Sequence, residues 1–565
     1  MRDEAESMGA EATPALRGRR AMRSARWRRL VAVLALAASG VGVAAAHAPD
    51  VVRVDDGLLR GAEHHGVLEF RGIPYAQPPV GALRWHAPLP AGPWRGVRDA
   101  TRYGHACPQV ARFGLTDGSL DEDCLTLNVA VPPPPSGAGA KPVLVWIHGG
   151  AFVGGSSDLY RLDALARQGI VVVSINYRLG VFGFMPSTAF APADNGAYAL
   201  EDQRLALRWV QRNIRAFGGD PRNVTLAGES AGAASICMQL GSPRQTRGLF
   251  DRALIISAGC MQPMPTVAEA ERALGAKVLQ AVGCTRASSA LRCLRATPVE
   301  ALLRAGDALS RKQVMSFSPT VGSRIVPRQI GQALRSGDFL HVPLLIGGER
   351  NEIRLYVAYA EQAGDHVTRA NYLQQLRTVY GDRAARVAAA YPLAAGASPP
   401  AVFGSLRSDY DPDLGINNCL YLQGAAVAER HAVPVHLFEF ADPDAPVLGV
   451  GITRKPDPGM PLGAVHSAML GYLFPGFSNT ARIDAPALPP AAQVLSRQML
   501  AAVANFARDG EPGGSHGVPL WPRDRGGVTS MRFAPGDVAL FDPQVEHRCA
   551  FWKSLYPDAL DALGH

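Results

Sequence analysis

The chain has 565 residues, of which 47% are hydrophobic and 19% charged, with a formal net charge of +8. That balance excludes a disordered or fibrous chain and provides for an ample core. Residues 1–48 hold eight Arg against four acidic residues, so the remainder carries a mild +4, with no clustered Lys and Arg to form a nucleic-acid groove.

The N-terminus reads as a targeting segment. Arg23, Arg26, Arg28 and Arg29 form a basic region, Leu30 to Val43 is apolar, and Ala44-Ala45-Ala46 and Ala46-His47-Ala48 offer small-residue cleavage sites. The acidic stretch before Met22 makes that methionine a candidate start. Arg28-Arg29 could belong to a twin-arginine signal, although its flanks fit poorly. The apolar run is short for a bilayer span, so export is the expectation and a retained anchor the alternative. No later stretch is long and apolar enough to span a membrane. Residues 1–48 are therefore expected to be a signal peptide and N-terminal extension. Residues 49–565 are expected to form one domain, since no linker, repeat or charge tract interrupts them. The expected destination is periplasm or medium, where disulfides persist. The eight cysteines include two close pairs, Cys107/Cys124 and Cys284/Cys293, and no Cys-x-x-Cys, which argues against zinc ribbons and thioredoxin-like chemistry.

Residues 51–100 read as short strands and turns. Lys141 to Ile147 is a continuous apolar run of the kind a buried parallel strand shows, and Gly169 to Ile175 is a second. A helical pattern follows, with Leu200, Leu205, Leu207, Trp209 and Val210 among charges. Asn223 to Ala227 leads into Gly228-Glu229-Ser230-Ala231-Gly232, and a small-residue helix follows from Ala233 to Met238. Later strands are expected at Ala253–Ser257, Pro343–Gly347 and Pro434–Phe440, with a mostly helical region over 360–430 that is expected to cap the site. Strand and helix in alternation predict an α/β fold, with chemistry at the C-terminal ends of the strands.

The Gly-x-Ser-x-Gly between a strand and a helix puts the Ser230 hydroxyl on a sharp, exposed elbow. Acyl transfer also needs a base, an acid to orient it and donors for the oxyanion. His148-Gly149-Gly150-Ala151-Phe152 leaves the strand ending at Ile147, and its backbone N–H groups, with that of Ala231, can face an oxyanion. Among later histidines, His366, His431, His516 and His547 sit in polar or charged surroundings, His565 is terminal and His436 lies inside a strand pattern. His466 ends a loop before an apolar helix, which favours it as the base. For the acid, the loop after Ile346 holds Glu349 and Glu352, and spacing does not choose between them. A solvated surface carboxylate is the plain alternative for either.

The chain resembles the type-B carboxylesterases, the large α/β-hydrolase family that includes cholinesterases and bile-salt-type lipases. The resemblance runs from about residue 51 to 557. It rests on Phe70-Arg71-Gly72-Ile73-Pro74-Tyr75-Ala76, Glu122-Asp123-Cys124-Leu125-Thr126-Leu127-Asn128-Val129, Asn176-Tyr177-Arg178, Ala199-Leu200-Glu201-Asp202-Gln203 and the Ser230 elbow. It implies an α/β-hydrolase fold: a large, mostly parallel central sheet, small N-terminal strands and helical cap insertions. It implies Ser230 as nucleophile, Glu352 as acid and His466 as base. Gly150, Ala151 and Ala231 become oxyanion donors, and Glu229 a carboxylate near the histidine. Disulfides are implied at Cys107–Cys124, Cys284–Cys293 and Cys419–Cys549, leaving Cys237 and Cys260 expected as free thiols that pack rather than react. Departures from the family pattern are Ala151 for a Gly, Ile353 for the Gly after the acid, Met469 for a Glu and Ala258 for the Gly after Ser257. The loop from Cys107 to Cys124 has no tryptophan to hold a quaternary ammonium, which disfavours choline esters.

The expected activity is hydrolysis of small-molecule carboxylic esters through an acyl-enzyme, without cofactor or metal. The alternatives are a lipase or sterol esterase, action on an amide, lactone or toxin ester, and a non-catalytic adhesion module of the same fold. Oligomeric state is not legible in the sequence.

Overall fold

The computed structural model describes residues 50–111, 118–133, 139–191, 195–310, 316–446, 459–478 and 487–564. The expected signal peptide, its cleavage sites and the C-terminal His565 lie outside the described residues, which all fall within one compact unit, Ala48–His565. Among the described residues, no helix is long and apolar enough to cross a membrane.

In chain order the first strands are β1 (Val51–Val54), β2 (Gly57–Arg60), β3 (Ala62–His64), β4 (Val67–Pro74), β5 (Val97–Asp99), β6 (Thr126–Val131), β7 (Lys141–Ile147) and β8 (Val171–Ile175). The later ones are β9 (Gly219–Glu229), β10 (Arg252–Ile256), β11 (Leu344–Glu349), β12 (Val435–Phe440), β13 (Ser530–Ala534) and β14 (Asp537–Phe541). A small sheet joins β1, β2 and β5, and an 11-stranded sheet runs β14-β13-β12-β11-β10-β9-β7-β8-β6-β4-β3. From β8 across to β13 every pairing is parallel, whereas both flanks are antiparallel. This is the α/β-hydrolase layout.

The parallel strands are buried along almost their whole length, because helices cover both faces, and so their sequences run apolar rather than alternating. Pro142 has no N–H to give a ladder, and the β7–β9 register shifts between Lys141 and Val143, which accommodates it. The helix Tyr198–Asn213 packs an apolar face on the sheet. Its Asp202 receives Arg178 Nη2 at 2.7 Å in a buried ion pair that ties two of the sequence motifs together.

Register places the chemistry. Ile147 of β7 lies opposite Gly228 of β9, and Ile256 of β10 lies opposite both Glu229 and Gly347. Neighbouring strands thus end at one level, and the His148 loop, the Ser230 elbow, Ser257 and the Glu349–Glu352 turn leave the same edge. The strand expected over Pro343–Gly347 runs on to Glu349, and the one expected to begin at Gly169 begins at Val171, after Gly169 turns at φ +84°.

The cysteines correct one expectation. The implied pairs Cys107–Cys124, Cys284–Cys293 and Cys419–Cys549 are bonded, but so are Cys237 and Cys260, with Cα atoms 5.2 Å apart, and no free thiol remains. Cys237 lies on the helix Ala231–Leu240 after the elbow, and Cys260 in the loop after the adjacent strand β10. Packing that helix beside β10 brings the two together across 23 residues of sequence.

Candidate active site

The elbow is built by sterics. Ser230 adopts φ 56° and ψ −120°, a conformation costly for a residue with a side chain, as the cap of the helix Ala231–Leu240. A Cβ on Gly228 would meet the Gly232 carbonyl carbon at 2.8 Å, and one on Gly232 would meet the Ile147 oxygen at 2.1 Å. Both flanking glycines are therefore required for strand and helix to cross so closely. The Ser230 N–H donates to Ile256 O at 2.9 Å, which pins the turn to the sheet.

The Ser230 hydroxyl lies 2.9 Å from His466 Nε2, and His466 Nδ1 lies 2.7 Å from Glu352 Oε2. Three residues separated by 114 and 236 positions thus form one hydrogen-bonded line. Glu352 Oε1 also accepts from Tyr421 Oη at 2.8 Å and from the Glu349 N–H at 3.0 Å. Its turn is held by Asn351 N–H, which donates to Ala464 O at 2.8 Å. Ile353, which stands where the family has Gly, is fully buried, and its N–H donates to Ser408 Oγ at 3.0 Å. The Glu352 position therefore survives that substitution.

Glu229 Oε1 lies 3.3 Å from His466 Nε2 and accepts from Ser467 Oγ at 2.6 Å. Ser467 reaches it from a left-handed backbone, φ 68°, directly after His466. Burial pushes the Glu229 carboxyl up to about 7, against the pull of the His466 imidazole. Burial, and then the neighbouring Glu352, push Glu349 up to about 8, and burial raises Glu352 as well. Neither Glu349 nor Glu352 is a solvated surface carboxylate, since both are fully buried.

The Gly-rich loop turns tightly, with positive φ at Gly150, Ala151 and Phe152. A Cβ on Gly149 would lie 2.5 Å from Glu229 Oε2, and one on Gly150 would lie 2.1 Å from Gly154 O. Among the described residues, the N–H groups of Gly150, Ala151 and Ala231 donate to no protein acceptor. His148 points away from solvent and stacks on Tyr177 at 4.3 Å, and burial pushes it down to about 4. It is neutral scaffolding for this loop.

Of the other histidines, His366 and His516 are exposed and His436 is buried in β12. His547 is buried between Asp409 and Glu439. Donor atoms of Glu349, Glu352 and His466 fall within 4.8 Å of one another, which is cation-ligand spacing. However, both His466 nitrogens are already engaged, by Glu352 and by Ser230. Sequence reasoning missed Tyr421, Ser467 and Tyr356, whose ring lies 5.7 Å from His466. Tyr421 carries no local signal, because it meets Glu352 only through packing of the helix Asn418–Glu429 against β11.

A model of the carboxylesterase family matches residues 48–552. The chain is 34% identical over 523 residues to the para-nitrobenzyl esterase of Bacillus subtilis (strain 168), across 90% of this chain and 98% of that protein. It is 32% identical over 513 residues to the fumonisin B1 esterase of Sphingopyxis macrogoltabida, across 86% of this chain and 87% of that one. The crystal structure of a carboxylesterase from Geobacillus stearothermophilus matches with a TM-score of 0.75 and 31% identity, over 89% of this chain and all of that one. With its elbow, its sheet and these relatives, the chain belongs to the type-B carboxylesterase family, the carboxylic ester hydrolases of the α/β-hydrolase fold.

Proposed function

We propose that the chain is an exported serine carboxylesterase that hydrolyses neutral esters through an acyl-enzyme on Ser230. The observation that carries the reading is the unbroken line from the Ser230 hydroxyl through the His466 imidazole to the Glu352 carboxyl. Ser230 Oγ attacks the ester carbonyl carbon while its proton passes to His466 Nε2. The N–H groups of Gly150, Ala151 and Ala231 receive the oxyanion, each donor contributing roughly 10²–10³ in rate. The tetrahedral intermediate collapses, and the leaving alkoxide takes the proton from Nε2. Water then repeats the sequence and releases the acid.

Glu352 holds Nδ1–H and stabilises the imidazolium, and Glu229 lends a second carboxylate from the Nε2 side. Ala151 adds a methyl to this loop where the family pattern has Gly. The loop from Cys107 to Cys124 lacks a tryptophan, which supports neutral esters over choline esters. Four disulfides and the basic-apolar N-terminus support export to an oxidising compartment. The test is hydrolysis of para-nitrobenzyl and p-nitrophenyl esters by the parent and by Ser230→Ala. Parent activity abolished in the variant supports the reading, and equal activity in both ends it. A series of acyl lengths, run in solution and in emulsion, separates an esterase from a lipase.

A further inference from the structure

Glu349 is a buried carboxyl that the reaction above does not use. It is the last residue of β11, fully buried, and its N–H already serves Glu352. One of its carboxyl oxygens shares a hydrogen bond with the Ser257 hydroxyl, and the other accepts from the Met469 N–H at 3.3 Å. The titratable groups facing it are Glu352 on the same turn, His466 beside Met469, Glu229 at the end of β9, Tyr421 and Tyr356. Arg350, next in sequence, pairs instead with Glu546. The site thus gathers Glu349 and Glu352 around one imidazole, with one donor atom from each of the three inside 4.8 Å. Two buried carboxylates that close cannot both ionise cheaply, so the pair retains one proton.

The donors are not shared evenly. Glu352 accepts from Tyr421, from the Glu349 N–H and from His466. Glu349 has Ser257 and one long backbone contact. Ser257, turned inward at φ 59° with its N–H on Gly347 O, contacts Glu349 through its hydroxyl and lies close enough to Glu352 to favour that carboxylate: a Cβ on Gly348 would lie 3.0 Å from Ser257 Oγ and 2.4 Å from Glu352 Oε1. A hydroxyl there can accept from one carboxyl and donate to the other.

We propose that Glu349 is a positioning residue that keeps the pair's proton on its own carboxyl and passes a hydrogen bond through Ser257 to Glu352, so that Glu352 meets His466 as a carboxylate. No net proton transfer is involved: the Glu349 O–H donates to Ser257 Oγ, and the Ser257 O–H donates to Glu352. The inference rests on the triad reading above. Burial and the Glu352 charge, which hold Glu349 up to about 8, agree with it. Above that pH the pair carries two charges. The imidazolium is then held too tightly to return its proton to the leaving group, and turnover falls.

The test is the pH profile of kcat for p-nitrophenyl acetate in the parent, Glu349→Gln and Glu349→Ala, with the infrared carbonyl band of a buried protonated carboxyl recorded alongside. The parent is expected to lose rate above about pH 8 and to show the band at neutral pH. Glu349→Gln, neutral at every pH and the same shape, is expected to lose both the band and that alkaline limb. Glu349→Ala, which leaves the Met469 N–H unpaired and the Ser257 oxygen without its donor, is expected to lower kcat about tenfold at every pH, with Gln restoring it. Should Ala fail to fold, the Gln profile and band decide alone. The same alkaline limb in Glu349→Gln, or a band that loses no intensity relative to the parent, overturns the proposal. So does a loss of parent activity to a chelator that a divalent cation restores, since the counter-charge is then a metal. Organophosphate labelling of Ser230 separates the two failures: an unlabelled parent refutes the triad, whereas a labelled enzyme with unaltered profiles refutes only the role of Glu349.

Discussion

Two histidines of this protein are buried beside carboxylates at nearly the same distances, and they do opposite work. His547 has Asp409 Oδ1 2.7 Å from Nδ1 and Glu439 Oε2 2.6 Å from Nε2. His466 has Glu352 Oε2 2.7 Å from Nδ1, but the neutral Ser230 hydroxyl 2.9 Å from Nε2. Burial opposes charge on His547, yet Glu439 and Asp409 outweigh it and hold the imidazole up to about 9. With both nitrogens committed to anions, His547 is a fixed cation that clamps the helix Pro399–Asp409 to β12 next to the Cys419–Cys549 bond. His466 keeps one nitrogen on a group that gains by giving up its proton. The nearest partner of Nε2, a carboxylate for His547 and a hydroxyl for His466 with Glu229 farther off at 3.3 Å, separates the brace from the base proposed above.

The comparison breaks most visibly at the serine. Removing the Ser230 hydroxyl, or the His466 imidazole, should lower turnover on the order of 10⁶-fold while leaving the fold intact, measured as kcat on p-nitrophenyl esters. His547→Ala should do the reverse. It removes the cation between the buried Glu439 and the partly buried Asp409 and should cost about 3 kcal/mol in urea-unfolding experiments, with little effect on kcat of the folded fraction.

The pH dependence of stability sharpens the contrast. The folded-state value of His547 lies above the ordinary 6.5, so its contribution is complete below that pH and is lost as pH rises through about 9. Unfolding midpoints recorded over that window should fall in the parent and stay flatter in His547→Gln. Glu229→Gln removes the lesser carboxylate of His466, and should lower kcat about tenfold, equivalent to roughly 1.4 kcal/mol of barrier. The smallest effect is expected at Ala151, held at φ 52°. Ala151→Gly keeps the N–H, relieves about 1 kcal/mol of backbone strain and should raise the melting temperature while admitting bulkier acyl groups.

Ser230 was legible because its signal is local. Five residues, a strand before and a helix after specify a turn, and the glycines are explained by contacts that any Cβ would violate. The apolar runs of β7, β8 and β10 were legible for the same reason, since a strand covered on both faces writes its burial into contiguous sequence. The proposed acid was less so. Glu349 and Glu352 stand three residues apart in one turn, and only the side-chain directions at the end of β11 send Glu352 to the imidazole. The bond between Cys237 and Cys260 was misread because the family pairs left two cysteines over. An even count in a chain expected to be exported was the available hint.

The sequence by itself determined the fold class, the elbow, the Gly-rich loop and the order of the chemistry along the chain, because each depends on neighbours within a few residues. Tertiary structure decided which carboxyl faces His466, which histidine is a clamp, and that Glu229, Glu349 and Glu352 crowd one imidazole. Those outcomes depend on strands β9, β10 and β11 ending side by side. Parallel register is set by the whole sheet, and no short stretch of residues encodes it.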